Sequence, residues 1–207
     1  MVPSLGQVKV LQTFLKELRQ EQPELPVVLD PVMVSSSGTV LLPEETRRAM
    51  EDMLLPLVTL VTPNVPEAVQ MYQDAFLGAQ PKLDLANLIS EVARDEAALQ
   101  ALGRKLSQKW QVAILLKGGH RVVGHGEDVL FVGEEMRAFP MHGEQEATRN
   151  LHGTGCTLSS AIAANLAKGE TLEKSVEFGK AYMDEIWNQG ITLSSGAQLL
   201  WHARKNA

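Results

Sequence analysis

The chain has 207 residues, 44% of them hydrophobic, 21% charged and 5% aromatic, with a formal net charge of −6. That is enough for one domain with a sizeable core, and an acidic chain without a Lys/Arg-rich run argues against nucleic-acid binding, which needs a basic face to neutralise phosphates. A single cysteine excludes an internal disulfide and fits a reducing, cytoplasmic setting, while the absence of a long apolar run or a signal-like start argues against membrane and secreted readings.

Leu11, Leu15 and Leu18 share one helical face with Lys16, Glu17 and Arg19 beside them, and the sequence QPELP ends that predicted helix. Residues 27–34, VVLDPVMV, form a short β-branched run expected to be a strand buried on both faces. After the SSSG loop, residues 43–55 read as a helix opened by Pro43, with Glu44 and Glu45 in its first turn. Residues 57–64 read as a second buried strand and 66–76 as a helix. Residues 78–95 read as a loop with at most a helical turn. A helix is expected over 96–109, a third strand over 112–119, and a β-hairpin over 127–141 turning near Gly133-Glu134. Residues 142–150 are polar and expected to be mobile. Two helices follow, 155–168 and 172–187, split by Gly169, and no element is assigned beyond Gly190. Without a repeat, low-complexity tract or linker, residues 1–207 read as one domain.

Apolar strands alternating with amphipathic helices predict an α/β fold, a parallel sheet covered by helices. Ligands of such sheets bind beyond the carboxyl ends of the strands. Asp30, Asn64 and Lys117-Gly118-Gly119 end the three apolar runs, so all three ends are expected to face one crevice.

Four motifs could carry chemistry, and each has a structural alternative. In HGTGC, Gly153 and Gly155 let successive N–H groups turn toward one point before a helix, whose N-terminus adds partial positive charge. That is an anion hole suited to a phosphoryl group. Cys156 in the first turn would have a stabilised thiolate, able to take a proton from an attacking hydroxyl. The alternative is a Gly-rich turn capping a core helix, with Cys156 as a small buried residue. No GxxxxGK[ST] motif is present. His152 and Cys156 at i, i+4 lack further metal ligands nearby, and a Cys–His hydrolase lacks an orienting third group. In TPNVPEA, Glu67 could hold Mg²⁺, or Asn64 and Glu67 could form a capping box. In DPVM, Asp30 is a strand-end carboxylate or a turn former. In KGGH, Lys117 could neutralise phosphate charge or be a solvated lysine. His120 and His125 read as loop residues, and Glu17, Glu21, Glu51 and Asp52 as solvated helix faces. Together the motifs supply a carboxylate pair, a lysine and an anion hole, the parts that phosphoryl transfer needs.

The pieces VVLDPVMVSSSGTVLL, LLPLVTLVTPNVPEA, ILLKGGH and HGTGCTLSSAIAANLAKGETLEKSV, in that order, resemble the hydroxymethylpyrimidine/phosphomethylpyrimidine kinases of thiamine biosynthesis, in the ribokinase-like superfamily. The Cys version of the last motif is also similar to a set of pyridoxal kinases. The resemblance implies a ribokinase-like fold with a mostly parallel sheet. It implies transfer of the γ-phosphoryl of ATP to a hydroxymethyl group on 4-amino-5-hydroxymethyl-2-methylpyrimidine or its monophosphate. By the same resemblance, Gly153, Thr154, Gly155 and Cys156 form the anion hole, with Cys156 as base or proton relay. Asp30 and Glu67 serve the Mg²⁺–ATP phosphates, Asn64 shapes that loop, and Lys117 and Gly118 lie near the nucleotide. Val32 and Met33 contact the pyrimidine, and a homodimer is a common assembly. Family members usually open with a further stretch carrying a Gly-Ser-Asp motif, a Gly-rich segment and much of the acceptor pocket. Measured against them the chain reads as N-terminally truncated, with an exposed strand edge expected. The alternatives to a pyrimidine kinase are a pyridoxal-type kinase of the same lineage, or a non-catalytic module completed by a partner.

Overall fold

The computed structural model describes Val2, Gly124 and residues 4–33, 42–77, 84–120, 126–141, 151–187, 189–196 and 198–202. The expectations for the SSSG loop, for His125 and for residues 142–150 fall outside them. The chain divides into two compact units, Met1–Pro140 and Met141–Ala207.

The first unit opens with α1 (Leu5–Glu21), whose N-cap Ser4 accepts from the Gln7 amide. There follow β1 (Val28–Leu29), α2 (Glu44–Met53), a 3₁₀ turn (Leu55–Leu57), β2 (Leu60–Val61), α3 (Val65–Phe76), α4 (Leu85–Arg94), α5 (Glu96–Trp110), β3 (Ala113–Leu116), β4 (Asp128–Val132) and β5 (Glu135–Phe139). The five strands form one sheet in the order β1-β2-β3-β4-β5. The β1–β2 and β2–β3 pairs are parallel; β4 runs antiparallel to β3 and to β5. The sheet is therefore mixed: a parallel half that carries the strand-end motifs and the expected hairpin, whose turn starts at Gly133 with φ +59°.

Burial follows position in this sheet. Every residue of β2 and β3 is buried, as expected for central strands. Val28 and Leu29 are only half-buried, because β1 has one neighbour among the described strands. The apolar run 27–34 yields just two ladder residues, since the chain turns out of the sheet at Asp30, where the Val32 amide donates to the Asp30 carbonyl at 2.9 Å. Phe131 of β4 is fully buried and meets α5 at Gly103.

Two expectations need correction here. Residues 85–94 form a ten-residue helix, α4, not a loop. Asp84 caps it by accepting from the Asn87 amide, and Leu85, Leu88, Ile89 and Val92 recur at helical spacing and pack on the core. Glu51 is no solvated helix-face residue: it is 3% exposed, whereas Glu17, Glu21 and Asp52 are exposed. Beside it Arg47 pairs with Asp74 at 2.7 Å, and Gln70 donates to the same carboxylate at 2.9 Å.

The second unit comprises β6 (Leu151–His152), α6 (Thr154–Ala167), α7 (Leu172–Trp187), β7 (Ile191–Thr192) and β8 (Gln198–Leu199). Its small sheet has the order β6-β8-β7, so the tail left without elements supplies two strands. Helices α6 and α7 pack together, with Gly179 close against Ile162, and Gly169 at φ +87° makes the reversal between them. Among the described residues no helix is long and apolar enough to cross a membrane.

Candidate functional site

Because β1, β2 and β3 are parallel, their carboxyl ends lie on one edge of the sheet. Asp30 follows β1, Asn64 follows β2 and Lys117 follows β3. Asn64 and Lys117 are bridged in parallel register, and the Lys117 amide donates to the Pro63 carbonyl at 2.9 Å. The side chains then converge. Lys117 Nζ lies 2.7 Å from Asp30 Oδ1 and 3.9 Å from Glu67 Oε2, and the three side chains are only 13%, 14% and 5% exposed. The solvated-lysine reading therefore does not hold.

The capping-box reading of Asn64 and Glu67 holds, and it does not exclude the other one. Asn64 Oδ1 accepts from the Glu67 amide, and Glu67 Oε2 accepts from the Asn64 amide, both at 2.8 Å. The same Glu67 carboxylate is buried beside Lys117. Burial pushes the Glu67 carboxyl above its ordinary range, against the opposing pull of Lys117 and of the Asn64 and Met33 amides.

Two carboxyl groups thus share a single ammonium. Asp30 Oδ1 is engaged by Lys117 and by the Thr62 hydroxyl at 3.3 Å, while Asp30 Oδ2 is buried with no hydrogen-bond partner. A buried acidic oxygen left over in this way fits a hard cation that takes few protein ligands and keeps water and phosphate oxygens. No group of three or more His, Cys, Asp or Glu side chains that could hold a metal occurs among the described residues.

The glycine after Lys117 is fixed from outside the motif. The Gly118 amide donates to Asp128 Oδ1 at 2.7 Å, and its carbonyl accepts from the Gly126 amide at 3.1 Å. A Cβ at Gly118 would lie 2.0 Å from the Glu127 carbonyl oxygen, so only glycine fits. Sequence reasoning missed Thr62 and Asp128. The available signals were a threonine two residues before Asn64 and an acid at the head of the apolar run DVLFV.

Of the two residues expected at the pyrimidine, Val32 is half-buried and Met33 is 2% exposed within the core, with its amide on Glu67.

In the second unit, Gly153 takes φ +91° as the N-cap of α6, and Thr154, Gly155 and Cys156 form the first turn. Thr157 Oγ1 donates back to the Gly153 carbonyl at 2.7 Å and Ser159 Oγ to the Gly155 carbonyl at 2.9 Å. Cys156 is exposed, so it is not a small buried core residue. A thiol in the first turn of a fourteen-residue helix feels the positive end of its dipole.

A family model described as phosphomethylpyrimidine kinase matches residues 3–201. A hydroxymethylpyrimidine/phosphomethylpyrimidine kinase from Rhizobium meliloti is 42% identical over 156 residues, which is 75% of this chain and 52% of that protein. The chain therefore spans about half the length of that relative. Among solved structures, phosphomethylpyrimidine kinase from Clostridium difficile aligns with a TM-score of 0.64 at 28% identity, covering 89% of this chain and 65% of the other. The pyridoxal kinase from Staphylococcus aureus in complex with pyridoxal aligns with a TM-score of 0.73 at 25% identity, covering 98% and 65%.

Proposed function

The chain belongs to the phosphomethylpyrimidine kinase family, and from that premise we propose that it serves ATP-dependent phosphorylation of the hydroxymethyl group of 4-amino-5-hydroxymethyl-2-methylpyrimidine, or of its monophosphate, in thiamine diphosphate biosynthesis. The observation that carries this reading is the buried Lys117–Asp30–Glu67 cluster at the parallel strand ends, with its one unengaged acidic oxygen. The family match runs across both units, which supports reading 1–207 as one kinase domain.

Each residue then has a task. Lys117 and the Gly118 turn meet the nucleotide phosphates, and Asn64 holds the loop that presents Glu67. Asp30 Oδ2 and Glu67 would hold Mg²⁺, which when bound offsets the charge on the phosphate oxygens. The amides of Gly153, Thr154, Gly155 and Cys156 donate to the oxygens of the transferred group. The acceptor hydroxyl oxygen bonds to the γ-phosphorus of ATP while the bond to the bridging oxygen breaks and ADP leaves. The hydroxyl proton goes to the Cys156 thiolate. Half-buried Val32 borders the acceptor, while core-buried Met33, expected beside it, serves Glu67 through its backbone amide. The working protein is read as cytoplasmic, and a homodimer is the assembly that the family resemblance implies.

A pyridoxal-type acceptor is the second reading, favoured by the likeness to the Staphylococcus aureus pyridoxal kinase. The test is Mg²⁺–ATP phosphoryl transfer to the pyrimidine, its monophosphate and pyridoxal, with ATP binding followed by calorimetry. Transfer to the pyrimidine upholds the proposal, and transfer to pyridoxal alone replaces it with the second reading. Binding without transfer leaves a nucleotide module. Cys156→Ala is expected to abolish transfer while sparing ATP affinity; full activity in that variant removes Cys156 from the mechanism.

A further inference from the structure

Asp128 lies ten residues beyond Gly118 and is no part of the strand-end motif. It heads β4, pairs in register with Phe139 of β5 and is only 5% exposed. That anchorage in an antiparallel hairpin makes it a fixed point. Its Oδ1 accepts the Gly118 amide at 2.7 Å, a short charge-assisted bond. The turn is gripped from the same side twice more. Gly118 receives the Gly126 amide on its carbonyl, and its Cα faces the Glu127 backbone too closely for any side chain. On the other flank the Lys117 amide is bonded to the Pro63 carbonyl, and Lys117 Nζ to Asp30. The direction of the Lys117 side chain and of the Gly119 amide is thus set between β2 and the head of β4.

We propose that Asp128 is a positioning residue for nucleotide binding: by holding the Gly118 amide from β4, it fixes the turn that presents Lys117 and the Gly119 amide to the phosphates. This rests on the kinase reading above, and it goes beyond that reading by assigning a role to a residue that would not itself touch substrate. A buried carboxylate is costly to keep there, and an amide or hydroxyl could fill the same space more cheaply. The Asp128 bond adds a side-chain hold to a Gly-Gly segment whose backbone has more intrinsic freedom than any other pair of residues.

The test compares wild type, Asp128→Asn and Asp128→Ala by hydrogen exchange at the Gly118 amide and by Mg²⁺–ATP calorimetry. In Asp128→Ala the exchange is expected to accelerate, and the dissociation constant to rise by up to about tenfold, since part of the binding energy then goes into re-ordering the turn. Asp128→Asn keeps an acceptor oxygen and is expected to recover most of both. Should Asp128→Ala fail to fold, Asp128→Asn carries the test, since its weaker bond must still raise both quantities above wild type. Unchanged Gly118 exchange overturns the proposal, as does faster exchange with unchanged ATP affinity. A wild-type chain that binds no nucleotide, with Gly118 exchange still sensitive to position 128, leaves Asp128 merely structural and sinks the kinase reading itself. The two failures are thereby told apart.

Discussion

Lys117 shows what a residue means only once its neighbours are known. In sequence it is a lysine after an apolar run. In the fold it is 87 positions from Asp30 and 2.7 Å away from it. Asp30 and Asn64 are likewise ordinary turn and cap residues until the parallel register sets them on one edge. Glu51 carries the opposite lesson. It looks like one more acid on a charged helix, yet it is buried with Oε1 unpartnered. Burial, with Asp74 and Asp52 adding to it against Arg47 and Arg48, pushes its carboxyl up from 4.5 to about 8. The folded state therefore keeps a proton that the unfolded chain has lost. Stability is expected to fall as the pH rises from about 4.5 through about 8, by a few kcal/mol in all, and to level off above. Glu51→Gln should flatten that slope, stabilising the protein most above pH 8 and little below pH 4.5. Urea unfolding across the range reads it directly, and identical slopes in the two proteins would contradict the buried acid.

Elements were legible where periodicity ran unbroken. The helices α1, α2, α3 and α5 and the hairpin lie close to the expected ranges. Helix α4 was missed because it begins only after the irregular stretch LGAQPKLD, and its apolar face is short. Its caps were the stronger signal: Asp84 opens it, and Asp95 both ends it and caps α5 by accepting from the Ala97 amide at 2.8 Å. Gly103 tests how tightly α5 sits on the sheet. A methyl group there would lie 2.3 Å from the Phe131 ring. Alanine favours a helix by about 1 kcal/mol over glycine, but overpacking a fully buried contact costs about 1–3 kcal/mol. Gly103→Ala is therefore expected to be destabilising overall, and a more stable variant would show that the α5–β4 contact yields easily.

At the scale of the whole molecule, the family match covers both compact units. A ligand that binds only the folded state stabilises it by mass action. Mg²⁺–ATP at a hundred times its dissociation constant should add about 2.7 kcal/mol and raise the melting temperature by several degrees. Lys117→Ala should remove most of that shift. A wild-type melting curve indifferent to Mg²⁺–ATP would dismiss the strand-end cluster as a nucleotide site.

The sequence by itself determined the α/β class, most helices, the four motifs and their order, because periodicity, capping residues and glycine spacing are local properties of the chain. Only the tertiary structure decided that Lys117 is buried between Asp30 and Glu67, that Asp30 keeps an unengaged oxygen, that Thr62 bonds Asp30 and Asp128 bonds Gly118, and that Glu51 is sealed from water. The reason is physical. Burial and ion pairing depend on which strands become neighbours, and parallel pairing joins residues whose separation along the chain carries no trace of the contact.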